Sequence, residues 1–168
     1  MTDAKIQSQQ PILCEKPTLL LLGSMPSIAS LDKRQYYGHP RNHFWNLMSN
    51  ILNEELPLDY SQRTAMLQRH GVLLWDSIKS CSRQGSLDSN IKNAIPNDVT
   101  ALIDRYPTLR AVAFNGTMAQ AVYDRYFERK PALTYLLLPS SSPVPRRDIK
   151  TLEDKLPRWL ALRAYIDV

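Results

Sequence analysis

Four short apolar runs, at residues 18–22, 72–75, 109–114 and 133–138, punctuate this 168-residue chain, with helix-patterned segments between them. None keeps a strict polar–apolar alternation, so each suits a strand buried on both faces. Strands that alternate with helices predict a mostly parallel sheet, joined by right-handed crossovers and covered on both sides. The expected fold is therefore α/β: a three-layer α/β/α sandwich around a four-stranded sheet. A chain of this length supports one domain with a substantial core, here residues 18–168. Residues 1–17 are polar and charged throughout and read as a flexible lead-in.

From Asn42 onward, Phe44, Trp45, Leu47, Met48, Ile51 and Leu52 recur at helical spacing, and Pro57 lies beyond the end. A second helix is expected from Ser61 as cap to His70, a surface residue at its end, with Gly71 as the left-handed stop. Residues 77–96 are rich in Ser, Asn and Gly and show no sustained period. They read as a long loop carrying one helical turn at most. Asn97 is the expected cap of a helix ending near Pro107, and further helices are expected over 117–128 and from about Thr151. No internal repeat is visible.

Hydrophobic residues make up 43% of the chain and charged residues 22%, values ordinary for a globular protein. No apolar run approaches the roughly 20 residues that span a bilayer, and the first residues lack the apolar middle of a secretory signal. A soluble, cytoplasmic, monomeric protein without membrane contact is expected. Cys14 and Cys81 form no CxxC pair, so neither a cysteine zinc site nor an iron–sulfur cluster can be assembled from them. Chemistry without metal or cofactor is favoured. The net charge of +5 is compatible with binding a phosphate backbone.

In a doubly wound sheet the strand ends of one edge converge on one crevice. That rule gathers Ser24 and Ser27 after the first strand, Asp76 after the second, Asn115 after the third and Ser140, Ser141 and Ser142 after the fourth. The set contains no Cys/His pair, no carboxylate pair and no Gly-x-Ser-x-Gly elbow, which argues against nucleophilic catalysis. The turn at 23–27, GSMPS, is neither a Walker loop nor a GxGxxG dinucleotide turn. Amides, hydroxyls and aromatic rings remain, a chemistry suited to a flat polar ring and a phosphate. Tyr36 and Tyr37 supply rings, although adjacent tyrosines also serve as loop packing. Asn42 suits either an oriented water or a helix cap, and Asp76 the cap of the following turn. His39 could contact phosphate or hold its loop.

Three motifs carry a resemblance: GSMPS with YYGHPRNHFW over residues 23–45, GVLLWD over 71–76 and LPSSSP over 138–143. Together they resemble the uracil-DNA glycosylase superfamily, and within it most closely the hypoxanthine-DNA glycosylases. The resemblance implies an α/β/α sandwich that extrudes a deaminated base from DNA and hydrolyses its N-glycosidic bond without metal or cofactor. Mismatch-type uracil glycosylases carry a water-positioning asparagine two residues after the first glycine; here that residue is Met25. The hypoxanthine family likewise lacks it, and the resemblance moves the catalytic role to Asn42. It implies base contacts by Tyr37, Asp76, Ser24, Met25, Phe44 and Asn115. DNA contacts would come from Pro26, Ser27, His39, the three serines, Arg146 and Arg147. Hypoxanthine is the expected base and uracil the next. The rival expectations are a mismatch-type uracil glycosylase and a binding module that kept the fold and lost the chemistry.

Overall fold

The computed structural model describes residues 5–144 and 149–167. In chain order its elements are β1 (Lys5–Gln7), β2 (Leu19–Gly23), α1 (Ile28–Lys33), α2 (Phe44–Ile51), α3 (Tyr60–Arg69), β3 (Val72–Asp76), β4 (Ile78–Ser82), β5 (Lys92–Pro96), α4 (Val99–Arg105), β6 (Ala111–Asn115), α5 (Thr117–Tyr126), β7 (Thr134–Leu138) and α6 (Leu152–Trp159). The expected sheet is present, all parallel, in the order β3-β2-β6-β7.

The leucine run at 19–22 shows why an unbroken apolar sequence makes a central strand. All four side chains have 0% exposure, and their period of two divides them between two cores. Leu19 and Leu21 join Val72, Leu74, Ala111 and Ala113 against α2, α3 and α6. Leu20 and Leu22 join Leu73, Val112 and Phe114 against α4 and α5. Each fully buried leucine contributes roughly 2 kcal/mol of transfer free energy, and no position on β2 can become polar without entering one core or the other.

The strand order reverses between β2 and β6. From β2 the chain passes through α1 to α3 on one face to reach β3; from β6 it passes through α5 on the other face to reach β7. The loops leaving β2 and β6 therefore diverge and open a crevice beyond their carboxyl ends. Among the described residues no helix is long and apolar enough to cross a membrane.

Four expectations are corrected. The lead-in is held from Lys5 onward: β1 pairs antiparallel with β4, and Ile12 exchanges backbone hydrogen bonds with Leu74 at 2.8 and 3.2 Å. These bonds cover the outer edge of β3, which would otherwise be an open template. The segment 77–96 is a hairpin, β4 antiparallel to β5, in a three-stranded sheet with β1. Its inward positions include Ser80 and Cys81 as well as Ile78, so the usual apolar alternation is missing. Asp98, rather than Asn97, caps α4 by accepting from Ala101 N–H at 3.2 Å. Asn97 instead donates to the carbonyls of Asp76 and Ile78 at 2.8 and 3.2 Å. The α3 cap is Asp59 rather than Ser61, and His70, at its end, pairs with Glu54. Gly71 does stop that helix, with φ +72°, and Thr151 forms a capping box with Asp154 at the start of α6.

Candidate active site

A cavity of about 510 Å³ lies at the switch point, walled by the turns after β2, β3, β6 and β7 and by the β4–β5 loop. Its floor is built around Gly23. A Cβ there would stand 2.5 Å from Asp76 Oδ1 and 2.7 Å from Tyr37 Oη, so only glycine lets the carboxyl and the phenol close over the strand end. Gly23 and Ser24 carbonyls accept from Ser77 and Ile78 N–H at 2.7 and 3.1 Å, locking the β2 exit to β3.

Tyr37 has φ +53°, a left-handed conformation that costs about 1–2 kcal/mol for a residue with a side chain. It is held by stacking on Phe44, centroids 4.0 Å apart and planes at 25°. Its hydroxyl is buried and has no partner of good hydrogen-bond geometry among the described residues, the Asn115 side chain interacting with it only weakly. Burial, and then the Asp76 charge, push the phenol well above the usual tyrosine range, so it stays protonated. Phe44 itself has 0% exposure and does not line the cavity. Its expected base contact is corrected: it backs Tyr37 from within the core. Tyr36 is also a packing residue, its hydroxyl donating to Gln10 O at 2.8 Å.

Asp76 closes β3 with 3% exposure. Its Oδ2 has no hydrogen-bond partner among the described residues. An unmatched buried carboxylate is costly, and its pKa responds: burial pushes it up to about 7, Asp88 adds to the rise and Arg83 opposes it. Ser24 Oγ donates to Asp88 Oδ1 at 2.8 Å. Arg83 is bound to Pro26 O and Gly85 O.

Asn42 lines the opposite wall. Its Oδ1 accepts from Phe44 N–H at 2.9 Å, which fixes the amide at the start of α2 and leaves one oxygen lone pair and the NH2 group available. His43 holds the N-cap position of α2, while Asn42, one residue earlier, bonds the first helical N–H and lines the cavity. His39 Nδ1 accepts from Arg41 N–H at 3.1 Å and holds the loop. Its neutral form must then carry the proton on Nε2, as a donor.

Asn115 ends β6 and meets Ser141 twice: Nδ2 donates to Oγ at 2.9 Å, and Oδ1 accepts from Ser141 N–H at 2.8 Å. This pair ties the β6 and β7 exits together. Ser141 is 1% exposed, while Ser140 and Ser142 keep partly open positions on the cavity wall. Ser27 caps α1 and, with Pro26, shapes the rim. Met25, 7% exposed, lines the cavity but packs mostly against Ile78, Cys81 and Val122. Arg146 and Arg147 lie outside the described residues.

Three participants escape the sequence reading. Asp88 and Arg83 come from the hairpin mistaken for loop. Lys155, 3% exposed, donates from α6 to His43 Nδ1 and Ser142 O, both at 3.0 Å, linking the start of α2 to the serine turn. Burial, and then the Lys155 charge, hold the His43 imidazole below its usual range. One signal was available for Lys155: it shares a helical face with Leu152, Leu156 and Trp159.

A doubly wound sheet with a carboxyl, a buried phenol and an anchored amide around a pocket at its switch point defines an α/β protein built to hold a polar ring beyond its strand ends. The model of the uracil DNA glycosylase superfamily matches residues 11–163, and the chain belongs to that superfamily, which makes it a DNA glycosylase by class. It is 38% identical over 148 residues to a protein of Methanosarcina barkeri (strain Fusaro / DSM 804) named hypoxanthine DNA glycosylase, covering 88% of this chain and 92% of that one. A protein of the same name from Methanosarcina acetivorans is 37% identical over 150 residues, covering 86% and 90%. The solution NMR structure of a candidate uracil DNA glycosylase from Methanosarcina acetivorans superposes with a TM-score of 0.82 at 34% identity, over 95% of this chain and 97% of that one.

Proposed function

We propose that the protein releases hypoxanthine from DNA by hydrolysing the N-glycosidic bond of an extruded deoxyinosine, that uracil is its second substrate, and that it uses no metal and does not cut the strand. The observation that carries this reading is the carboxyl of Asp76, which lines the cavity with Tyr37 and whose buried Oδ2 has no hydrogen-bond partner among the described residues. An oxygen there can accept the ring N–H that hypoxanthine and uracil carry and adenine lacks. The names of the two Methanosarcina relatives support the same base.

In this mechanism the extruded base stacks on Tyr37, whose position is fixed by Phe44 behind it. Asn42 uses its free lone pair to hold a water at the anomeric carbon as the sugar develops oxocarbenium character. An amide is no general base, so the rate arises from placement and from stabilising the departing base. Met25, a thioether packed into the β4–β5 side of the site, cannot hold water, which leaves Asn42 as the residue for that task. Strand cleavage would need a free amine. Lys155, the buried lysine nearest these elements, is bonded to Ser142 O and His43 and does not line the cavity. The hydroxyls of Ser140 and Ser142, His39 Nε2 and exposed Arg41 suit phosphate oxygens. Leu87 and Val144, 47% and 51% exposed at the mouth, suit the faces of bases left behind in an opened duplex.

The test is Asn42→Ala. Excision under single-turnover conditions should fall by about 100-fold or more while affinity for the same duplex changes little. Unchanged excision would remove Asn42 from the mechanism.

A further inference from the structure

Breaking a glycosidic bond leaves the bonding electron pair on the base, which departs as an anion until a proton reaches it. Asp76 lies in the wall of the cavity that would hold that base, and Asp88 is near enough to raise its pKa. Among the described residues Arg83 is the cation that lowers it; its Nε and Nη2 donate to the carbonyls of Gly85 and Pro26, and its buried Nη1 has no hydrogen-bond partner. The phenols of Tyr36 and Tyr37, which also face Asp76, are neutral. An ionised Asp76 would therefore oppose the developing negative charge in a pocket where screening is weak. A neutral carboxyl would remove the repulsion and add a donor.

Resting on the glycosylase reading above, we propose that Asp76 works as a neutral carboxylic acid, its carbonyl oxygen accepting the lactam N–H of the base and its O–H donating to the adjacent lactam C=O. Asp76 lines the cavity, its buried Oδ2 has no hydrogen-bond partner among the described residues, and the close approach over Gly23 fixes the group in place. Hypoxanthine offers N1–H beside C6=O, uracil N3–H beside C4=O, and xanthine repeats the hypoxanthine pair. The substrate class is thus the bases with a lactam edge. The donor reaches the carbonyl oxygen, onto which the charge of the departing base delocalises. The upward shift of Asp76 to about 7 by burial and Asp88 supplies the proton near neutral pH.

Asp76→Asn keeps one donor and one acceptor on the same edge and removes the titration. At limiting enzyme, the wild-type excision rate on inosine duplex should fall about fivefold between about pH 7 and about pH 8. The variant should stay level and overtake it. A wild-type rate that rises through neutrality, with the variant slow at every pH, would show an ionised acceptor and overturn the proposal; so would a wild-type rate independent of pH. If wild type releases no base at any pH, the glycosylase reading itself fails. The proposal is then decided by infrared spectroscopy of the complex with a duplex carrying 2′-fluoro-deoxyinosine, which resists hydrolysis. A protonated-carboxyl band at about pH 6 that Asp76→Asn abolishes supports it, and its absence in wild type overturns it.

Discussion

Gly23 is the residue on which the site turns, because the carboxyl of Asp76 and the phenol of Tyr37 both occupy the space a methyl group would need. Gly23→Ala must displace both groups, so stability should fall by about 1–3 kcal/mol and excision by more. A thermal melt beside a single-turnover assay checks both. Asp76 makes a separate prediction about pH. Its folded pKa of about 7 lies above the ordinary aspartate value of 3.8, so the folded state keeps a proton that the unfolded chain releases. The stability this group contributes is present below about pH 4 and is lost as pH rises through about 7, by on the order of 4 kcal/mol. Asp76→Asn should abolish that dependence and be the more stable protein at about pH 8. Melting curves across that range decide it; a parallel dependence in both proteins would mean that Asp76 ionises freely. Asn42 combines its bond to the first helical N–H with its proposed role at the water, so Asn42→Ala should also cost about 1 kcal/mol of stability, which the melt separates from lost chemistry.

At the scale of elements, Lys155 joins α6 to the start of α2 and to the serine turn. Lys155→Met keeps the volume but leaves the Ser142 carbonyl without this donor. Excision should drop about tenfold through misplaced Asn42 and Ser142, with DNA affinity nearly kept; full activity would show that the turn holds itself. The elements differ in how far the sequence reveals them. The run at 19–22 was readable because both faces of β2 are buried, and α2 because Phe44, Trp45, Leu47, Met48 and Ile51 trace one stripe. β4 and β5 were not, since Ser80 and Cys81 occupy inward positions and partner strand β1 lies over 70 residues away in sequence. The same gap hid Asp88 and Arg83. Strand ends gave Ser24, Asp76 and Asn115 by rule, whereas the burial of Phe44 behind Tyr37 depends on a left-handed residue that no spacing announces.

For the whole molecule, the net charge of +5 and a site open to a duplex predict binding that weakens with salt, log Kobs falling by about 0.9 per phosphate neutralised. A titration at several salt concentrations measures that slope; affinity indifferent to salt would place the contacts on bases alone. The fold keeps the pocket rigid by joining it to four strand ends, so substrate choice rests on the base edge and on how readily the duplex opens. The most direct test places the purified protein in EDTA with matched duplexes containing one inosine, uracil or xanthine, and detects abasic sites by alkaline cleavage. Hypoxanthine should be released fastest, uracil next, with strands intact before alkali. Duplexes bound but no base released from any of them would contradict the assignment and leave a binding module in its place.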